Sequence, residues 1–519
     1  LLLFAVVSIL SFMIYIGKWW HGDRLFALSC FTVKDMITTQ EDYLESLRGL
    51  KKRIFMFGEE IENYVDHPMI RPSLNAVAMT YELANDPTHV ELMTAESNLT
   101  GQRVNRFTHL HQSTQDLVNK VKMQRLLGHC TACCFQRCVG MDSFNALDVV
   151  TYQMDQELGT NYNQRFRKYL AHVQEENLVV DGAMTDPKGN RKLSPSQQTD
   201  PDLHVRIVKE NEDGIFIRGA KVHQTGAVNS HEILVMPARS LKEADQDYAV
   251  ACTVPADAEG IIYVVGRQAS DTRKLEGGRI DVGNYQFGGH EAVIIFQDVF
   301  IPWEWVFMCR EYQYAGNLVE LFAAHHRASY GGCKVGVGDV LIGAAQAIAR
   351  VQGTEQASHI RDKLVEMVHL NETLYACGLA SSYEGRRSPS GTYLIDVLLA
   401  NVTKLNVTRF PYEIARIAQD IAGGLLVTMP SEKDFNHPEI GPLLQKYLVG
   451  SDEFPTEWRQ RLLRLIENIT LGAGGVGYLV ESMHGAGSPM AQRIMLMRLA
   501  ELDAKEAYAL KIAGLVEES

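Results

Sequence analysis

His326, Tyr330, Cys333 and Lys334 fall within one nine-residue stretch, with Gly331 and Gly332 between them. An imidazole and a thiol so placed are ligands for a soft metal. Far upstream a second group reads Cys130, Cys133, Cys134 and Cys138. If that run is helical, Cys130 and Cys134, or Cys134 and Cys138, lie four apart on one face. Three thiolates and one imidazole gathered by folding would hold a zinc ion or an iron–sulfur cluster. Neither half is a metal motif alone, and the ordinary reading of each cysteine is a small buried hydrophobe.

Three further groups could do chemistry. Glu291 follows Gly288, Gly289 and His290 and precedes an apolar run. A partly buried carboxyl there would have a raised pKa and could serve as a base; the ordinary reading is a solvated glutamate at a strand start. His223-Gln224-Thr225-Gly226 follows a strand pattern, and small polar groups beside a glycine suit hydrogen bonds to a flavin ring, or simply a turn. Gly472, Gly474 and Gly477 fit G-x-G-x-x-G but follow an amphipathic helix pattern (Leu462, Leu463, Leu465, Ile466), so the dinucleotide context fails. They read as a helix-ending turn or as bare backbone for a cofactor. A second glycine cluster, Glu481 to Gly487, lies just beyond. No phosphate-binding loop, zinc-protease helix or serine elbow is present.

The elements that must position these groups come in three blocks. Thr39-x-x-Asp42 is a helix start, and apolar residues at helical spacing (Tyr43, Leu47, Leu50, Ile54) predict a helical domain over 39–177, with helices near 73–83, 102–111, 114–138, 143–158 and 165–175. The period then changes to two around Leu203, Val205 and Ile207, with a turn at Asp213-Gly214, predicting a β-barrel or sandwich domain over 178–306. Residues 307–519 return to helical patterns, near 356–385, 391–421, 455–470 and 491–515. The apolar positions from Val337 to Val351 cover most of one helix surface, so a C-terminal helix bundle is expected with that helix buried.

The chain has 519 residues, 46% hydrophobic and 22% charged, which is globular composition, and a formal charge of −13 without a basic run, so nucleic acid is not the expected partner. Nine scattered cysteines do not suit a secreted disulfide framework; a reducing, cytoplasmic setting is expected. Residues 1–38 begin with a seventeen-residue apolar run, read first as an over-extended start and otherwise as an anchor or a core helix. Beyond it no apolar run is expected to span a bilayer, so membrane contact is expected only if that N-terminus is genuine.

The text from about Thr39 onward resembles the 4-hydroxybutyryl-CoA dehydratase/vinylacetyl-CoA Δ-isomerase family. The resemblance is carried by Cys134-Phe-Gln-Arg-Cys138-Val-Gly-Met-Asp, Met184-Thr-Asp-Pro-Lys-Gly, His223-Gln-Thr-Gly, His326-x-x-Ser-Tyr330-Gly-Gly-Cys333-Lys334 and Glu481-Ser-Met-His-Gly-Ala-Gly-Ser-Pro, in family order. It implies an α+β, acyl-CoA-dehydrogenase-like fold and a homotetramer holding FAD and a [4Fe–4S] cluster in each chain. It further implies cluster ligands Cys134, Cys138, His326 and Cys333, leaving Cys130 and Cys133 as non-ligands. Catalytic positions fall on His326, Glu291, Tyr330, Lys334 and Glu481, and flavin contacts on Thr185, His223, Gln224 and Thr225.

The implied reaction is dehydration of 4-hydroxybutyryl-CoA to crotonyl-CoA, with isomerisation of vinylacetyl-CoA. A thioester acidifies only C2–H, whereas dehydration must break C3–H, so plain acid–base chemistry fails and the family oxidises the enolate transiently, with no net redox. The alternatives are a flavin-dependent aromatic monooxygenase of the 4-hydroxyphenylacetate type, which needs no cysteine–histidine set, and a non-catalytic CoA- or partner-binding protein with a structural Cys3His zinc.

Overall fold

Residues 38–515 are described by a computed structural model of the chain; residues 1–37, with the apolar N-terminal run, lie outside them. Thr39 caps helix α1 (Gln40–Arg48) as expected: its hydroxyl accepts from the Asp42 amide at 3.1 Å and the Asp42 carboxylate accepts from the Thr39 amide at 2.9 Å. Next come α2 (Arg71–Asn85), α3 (Thr114–Thr131), α4 (Cys138–Leu158) and α5 (Tyr162–Glu176).

Two of the helices expected in this region do not form as expected. The helix expected over 102–111 is a short strand, Arg103–Asn105, and a tight turn. Arg106 is buried there, and its guanidinium donates to the carbonyls of Glu91, Leu92 and Thr94, which an outward-facing helical arginine could not reach. The helix expected over 114–138 breaks at Ala132, whose φ of 49° is left-handed, and resumes at Cys138. The cysteine run therefore shares no helical face. Cys130 is in the last turn of α3, Cys133 and Cys134 sit in the connecting loop, and Cys138 opens α4.

Period two also wins over helical spacing at β1 (Arg53–Met56), where Ile54 and Met56 face inward and Arg53 outward. With β2 (Glu59–Glu60) it joins strands from later in the chain: β3 (Val180–Ala183), β4 (Arg206–Glu210), β5 (Gly214–Thr225), β6 (Glu232–Val235), β7 (Val250–Pro255), β8 (Ile261–Val265), β9 (Glu291–Pro302) and β10 (Val306–Cys309). One sheet runs β2-β1-β8-β9-β5-β4 and a second β10-β7-β6-β3. The expected β4–β5 hairpin forms, its turn closed by the Asn211 amide on the Gly214 carbonyl. Neither sheet closes on itself, so the described residues form no barrel. Inward residues of both sheets, such as Ile217 and Ile294 from one and Ile233 and Val254 from the other, share one core with Tyr43 and Tyr81 of α1 and α2.

The C-terminal part is helical: α6 (Tyr312–Val351), α7 (Ser358–Tyr383), α8 (Val397–Val407), α9 (Phe410–Ala422), α10 (Thr456–Thr470), α11 (Pro489–Leu499) and α12 (Leu502–Ile512). The pattern over 391–421 divides at Arg409, just before Pro411, and that over 491–515 at Glu501, whose φ is 47°. Helix α6 is long and apolar enough to cross a membrane, which the sequence reading missed, yet 67% of that window is buried in the fold. It packs against α3, α4, α7, α8, α9 and α10. The approach is close because glycines meet there: a Cβ at Gly331 would strike Gly378 of α7, and one at Gly336 would strike Gly128 of α3.

Candidate functional site

His326, Tyr330, Cys333 and Lys334 sit at i, i+4, i+7 and i+8 of α6, hence on one face of that helix. That face meets the N-terminal end of α4. Cys138, the Asp142 carboxylate and the His326 imidazole offer ligand atoms within 4.8 Å of one another. His326 Nδ1 lies 2.8 Å from Asp142 Oδ2, and its ring stacks on Phe322 and meets Tyr330 edge-on. Cys134 and Cys333 lie outside that group but are close enough to act on the Cys138 thiol or on each other electrostatically. Burial pushes the Cys134 thiol well up, with Glu481, Cys138 and Cys333 adding to it and Lys334 opposing. Burial likewise raises Cys138, helped by Asp142 and Cys333. Among the described residues every cysteine is free. A buried set of three thiols and an imidazole, costly to ionise alone, fits a positively charged soft-metal centre that takes the place of the protons. Cys130 is half-buried against the apolar cluster that includes Cys138 and Cys333, with Glu82 as its charged neighbour. Cys133 instead faces a cleft, its thiol reaching the Gly288 carbonyl at 3.4 Å.

The loop carrying Cys134 is clamped by the residues between its cysteines. Gln136 Nε2 donates to the His290 carbonyl at 2.7 Å, and its Oε1 accepts from Asn229 at 2.6 Å. The Arg137 guanidinium lies over the rings of Tyr81 and Phe107 and donates to Thr80 and to the Leu178 carbonyl. These contacts tie the loop to the sheet region and to α2.

From that region comes the second half of the site. Antiparallel pairing sets Glu291, the first residue of β9, opposite Thr225, the last of β5. The Thr225 hydroxyl lies 2.7 and 2.9 Å from the two Glu291 carboxyl oxygens. Burial raises the Glu291 pKa well above the carboxylate range, and hydrogen-bonded Glu481 raises it further. Glu481 lies 2.9 Å from Lys334 Nζ, which also donates to the Gly477 carbonyl at 2.5 Å. Burial alone would lower the Lys334 pKa, but Glu481, Cys333 and Cys134 carry it well above the usual value. A contact chain thus runs Thr225–Glu291–Glu481–Lys334 from the sheet to α6.

The glycine motif does end a helix. After α10, residues 472–475 turn, and a wide π-type turn over Val476–Val480 delivers Glu481. Bare backbone at Gly289, Gly474 and Gly477 faces Cys134 and Glu481 across a cleft. Such walls admit a flat ring close to the backbone. His223, with φ of 57°, has Lys188 and His484 as neighbours; Gln224 Nε2 donates to the carbonyls of Val222 and Thr185. Thr185 and His223–Thr225 therefore form one patch at the strand end, joined to the thiol group through Glu291.

Two buried polar residues beside the site escape the sequence. Asp142 is four residues after Cys138, and that spacing on a helix is the signal that could find it. Lys404 of α8 is fully buried, donates to the Ser482 carbonyl, and lies 4.4 Å from the Tyr330 ring centroid. A lone lysine in an apolar helix carries no such signal.

Models of the 4-hydroxyphenylacetate 3-hydroxylase family match this chain, the N-terminal model over residues 39–308 and the C-terminal model over 315–514. The chain is 59% identical to the 4-hydroxybutyryl-CoA dehydratase/vinylacetyl-CoA-Δ-isomerase of Clostridium aminobutyricum, over 92% of this chain and all of that one. Among solved structures it is similar to an oxygen-tolerant archaeal 4-hydroxybutyryl-CoA dehydratase from N. maritimus, at 55% identity, with a TM-score of 0.91, covering 93% of this chain and 96% of that one. The oxygenase component of 4-hydroxyphenylacetate 3-monooxygenase, solved with FAD, shares the fold at 24% identity with a TM-score of 0.82, covering 92% of this chain and 98% of that one.

Proposed function

Since the chain belongs to the 4-hydroxyphenylacetate 3-hydroxylase family, and within it to the 4-hydroxybutyryl-CoA dehydratases/vinylacetyl-CoA Δ-isomerases, we infer that it dehydrates 4-hydroxybutyryl-CoA to crotonyl-CoA and isomerises vinylacetyl-CoA. The observation that carries the reading to the site is the convergence of Cys138 and His326 within ligand distance, beside the Glu291–Glu481–Lys334 chain. The cluster would be a [4Fe–4S] centre held by Cys134, Cys138, His326 and Cys333, and the flavin an FAD bound at Thr185 and His223–Thr225 against the glycine walls. When bound, the flavin supplies a reversible one-electron sink for the substrate enolate, and the cluster a Lewis acid for the departing hydroxyl.

The chain's own groups have separable tasks. Glu291 is the carboxyl with the raised pKa, placed to take a substrate proton; His326 could be the other base only while its Nε2 is not bound to the metal. Glu481, held by Lys334, positions the acyl chain, and the buried Tyr330 and Lys334 steady the hydroxyl. We assign residues 39–177, 178–306 and 307–519 to helical, β and helical parts in the order of an acyl-CoA dehydrogenase. The active form is a homotetramer, which would cover the exposed apolar side chains of α11 and α12.

Protein purified without oxygen is expected to contain iron, sulfide and flavin and to turn over both substrates. Cys333→Ala is expected to lose the brown colour and the dehydratase activity together; full activity in the colourless variant would refute the cluster's role. One zinc per chain and no flavin would instead mark a structural metal site.

A further inference from the structure

Asp142 is fully buried, yet it is not a spare carboxylate. Its Oδ1 accepts from the ammonium of Lys120, itself fully buried and also bonded to the His325 carbonyl at 2.8 Å. Its Oδ2 lies 2.8 Å from His326 Nδ1 and accepts from the Ser329 hydroxyl at 3.2 Å. A carboxylate paired with lysine can only accept, so the proton between Oδ2 and the ring belongs to Nδ1. In that tautomer the ring's lone pair is on Nε2. Phe322 stacked on one face and Tyr330 at the edge hold the ring plane. Although Asp142 lies within ligand distance of Cys138, both its oxygens are already engaged.

We propose that Asp142 is the positioning residue of the metal centre: it selects the Nδ1–H tautomer of His326 and so leaves Nε2 available to a metal held with Cys134, Cys138 and Cys333, with Lys120 paired to the carboxylate inside the fold. This rests on the cluster reading above. Outer groups of this kind orient and tune a ligand without touching the metal.

Asp142→Asn is the discriminating change because it keeps the shape. Lys120 retains the amide oxygen, so the amide nitrogen faces His326 Nδ1 and donates to it. The ring proton must then move to Nε2, which can no longer bind iron. In the anaerobic holoenzyme, pulsed EPR of the reduced cluster is expected to show imidazole nitrogen coupling in the wild type and none in Asp142→Asn. Iron loss to a chelator is expected to be about 10- to 100-fold faster in the variant. The double change Lys120→Met, Asp142→Leu removes the buried pair without stranding a charge and is expected to behave in the same way. Unchanged coupling and iron retention in Asp142→Asn would overturn the positioning role while leaving the cluster in place. A wild type without iron and sulfide would overturn the cluster reading itself.

Discussion

Glu291 and Glu481 are neighbours in one site, and Lys334 is ion-paired to Glu481 at 2.9 Å. The Glu291 pKa is raised by burial first and by Glu481 second. If Glu291 acts as a base, activity rises with pH as it loses its proton. Glu481→Gln removes the neighbouring charge, so the rise is expected at lower pH than in the wild type; a profile that stays put or moves upward would exclude Glu291 as the group seen. Glu291→Gln is expected to lower kcat about 100-fold or more. Lys404 makes a stability claim of opposite character. Burial first, then Lys334 and Arg327, lower its pKa from 10.5 to about 7. Between those values the unfolded chain binds the extra proton, so its destabilising effect is full below about pH 7 and fades as pH rises toward 10.5. Lys404→Met is therefore expected to exceed the wild type in urea stability at pH 6, by on the order of a few kcal/mol, with the gap closing by pH 10. A pH-independent gap would contradict the buried charge. Glu291 was legible as a candidate because two glycines and a strand framed it. Lys404 was not, because its role comes wholly from Tyr330 and Ser482, which reach it from other helices.

At the scale of elements, the site depends on how closely α6 approaches its neighbours. A Cβ on Gly332 would collide with the Val121 carbonyl of α3, a backbone atom that cannot swing aside. Gly332→Ala is expected to destabilise the protein by about 1–3 kcal/mol and to lower iron content, because separating α3 from α6 also displaces the loop to Cys134. Thermal unfolding and iron analysis check both; normal values for each would mean that the helices have slack. Helix α6 itself was legible from apolar residues covering most of its surface. The break at Ala132 was not. It follows from Gln136 and Arg137 anchoring the loop to residues 80–290, pairings that local periodicity does not report. The β1 strand was missed for a similar reason, since four residues read equally as a helix end until β8 pairs with them.

At the scale of the molecule, the last two helices are the least covered part of the described chain. Helix α12 has no buried residue. On α11, Met490, Ile494 and Met497 recur at i, i+4 and i+7 and stay 62, 60 and 67% exposed, a continuous apolar stripe on a helix whose inner side meets α8. Single exposed apolar residues need no explanation, but a stripe at helical spacing marks a surface that another protein surface covers. In the homotetramer proposed above, a second copy of the chain would cover that stripe. Light scattering on the anaerobic protein is expected to give four chains, and the pair Ile494→Asp, Met497→Asp to give fewer, since charges on both residues would have to be desolvated at the contact. Because both positions are solvent-facing within one chain, the substituted protein is expected to keep its fold by circular dichroism. A tetramer that survives both charges would place the subunit contact elsewhere.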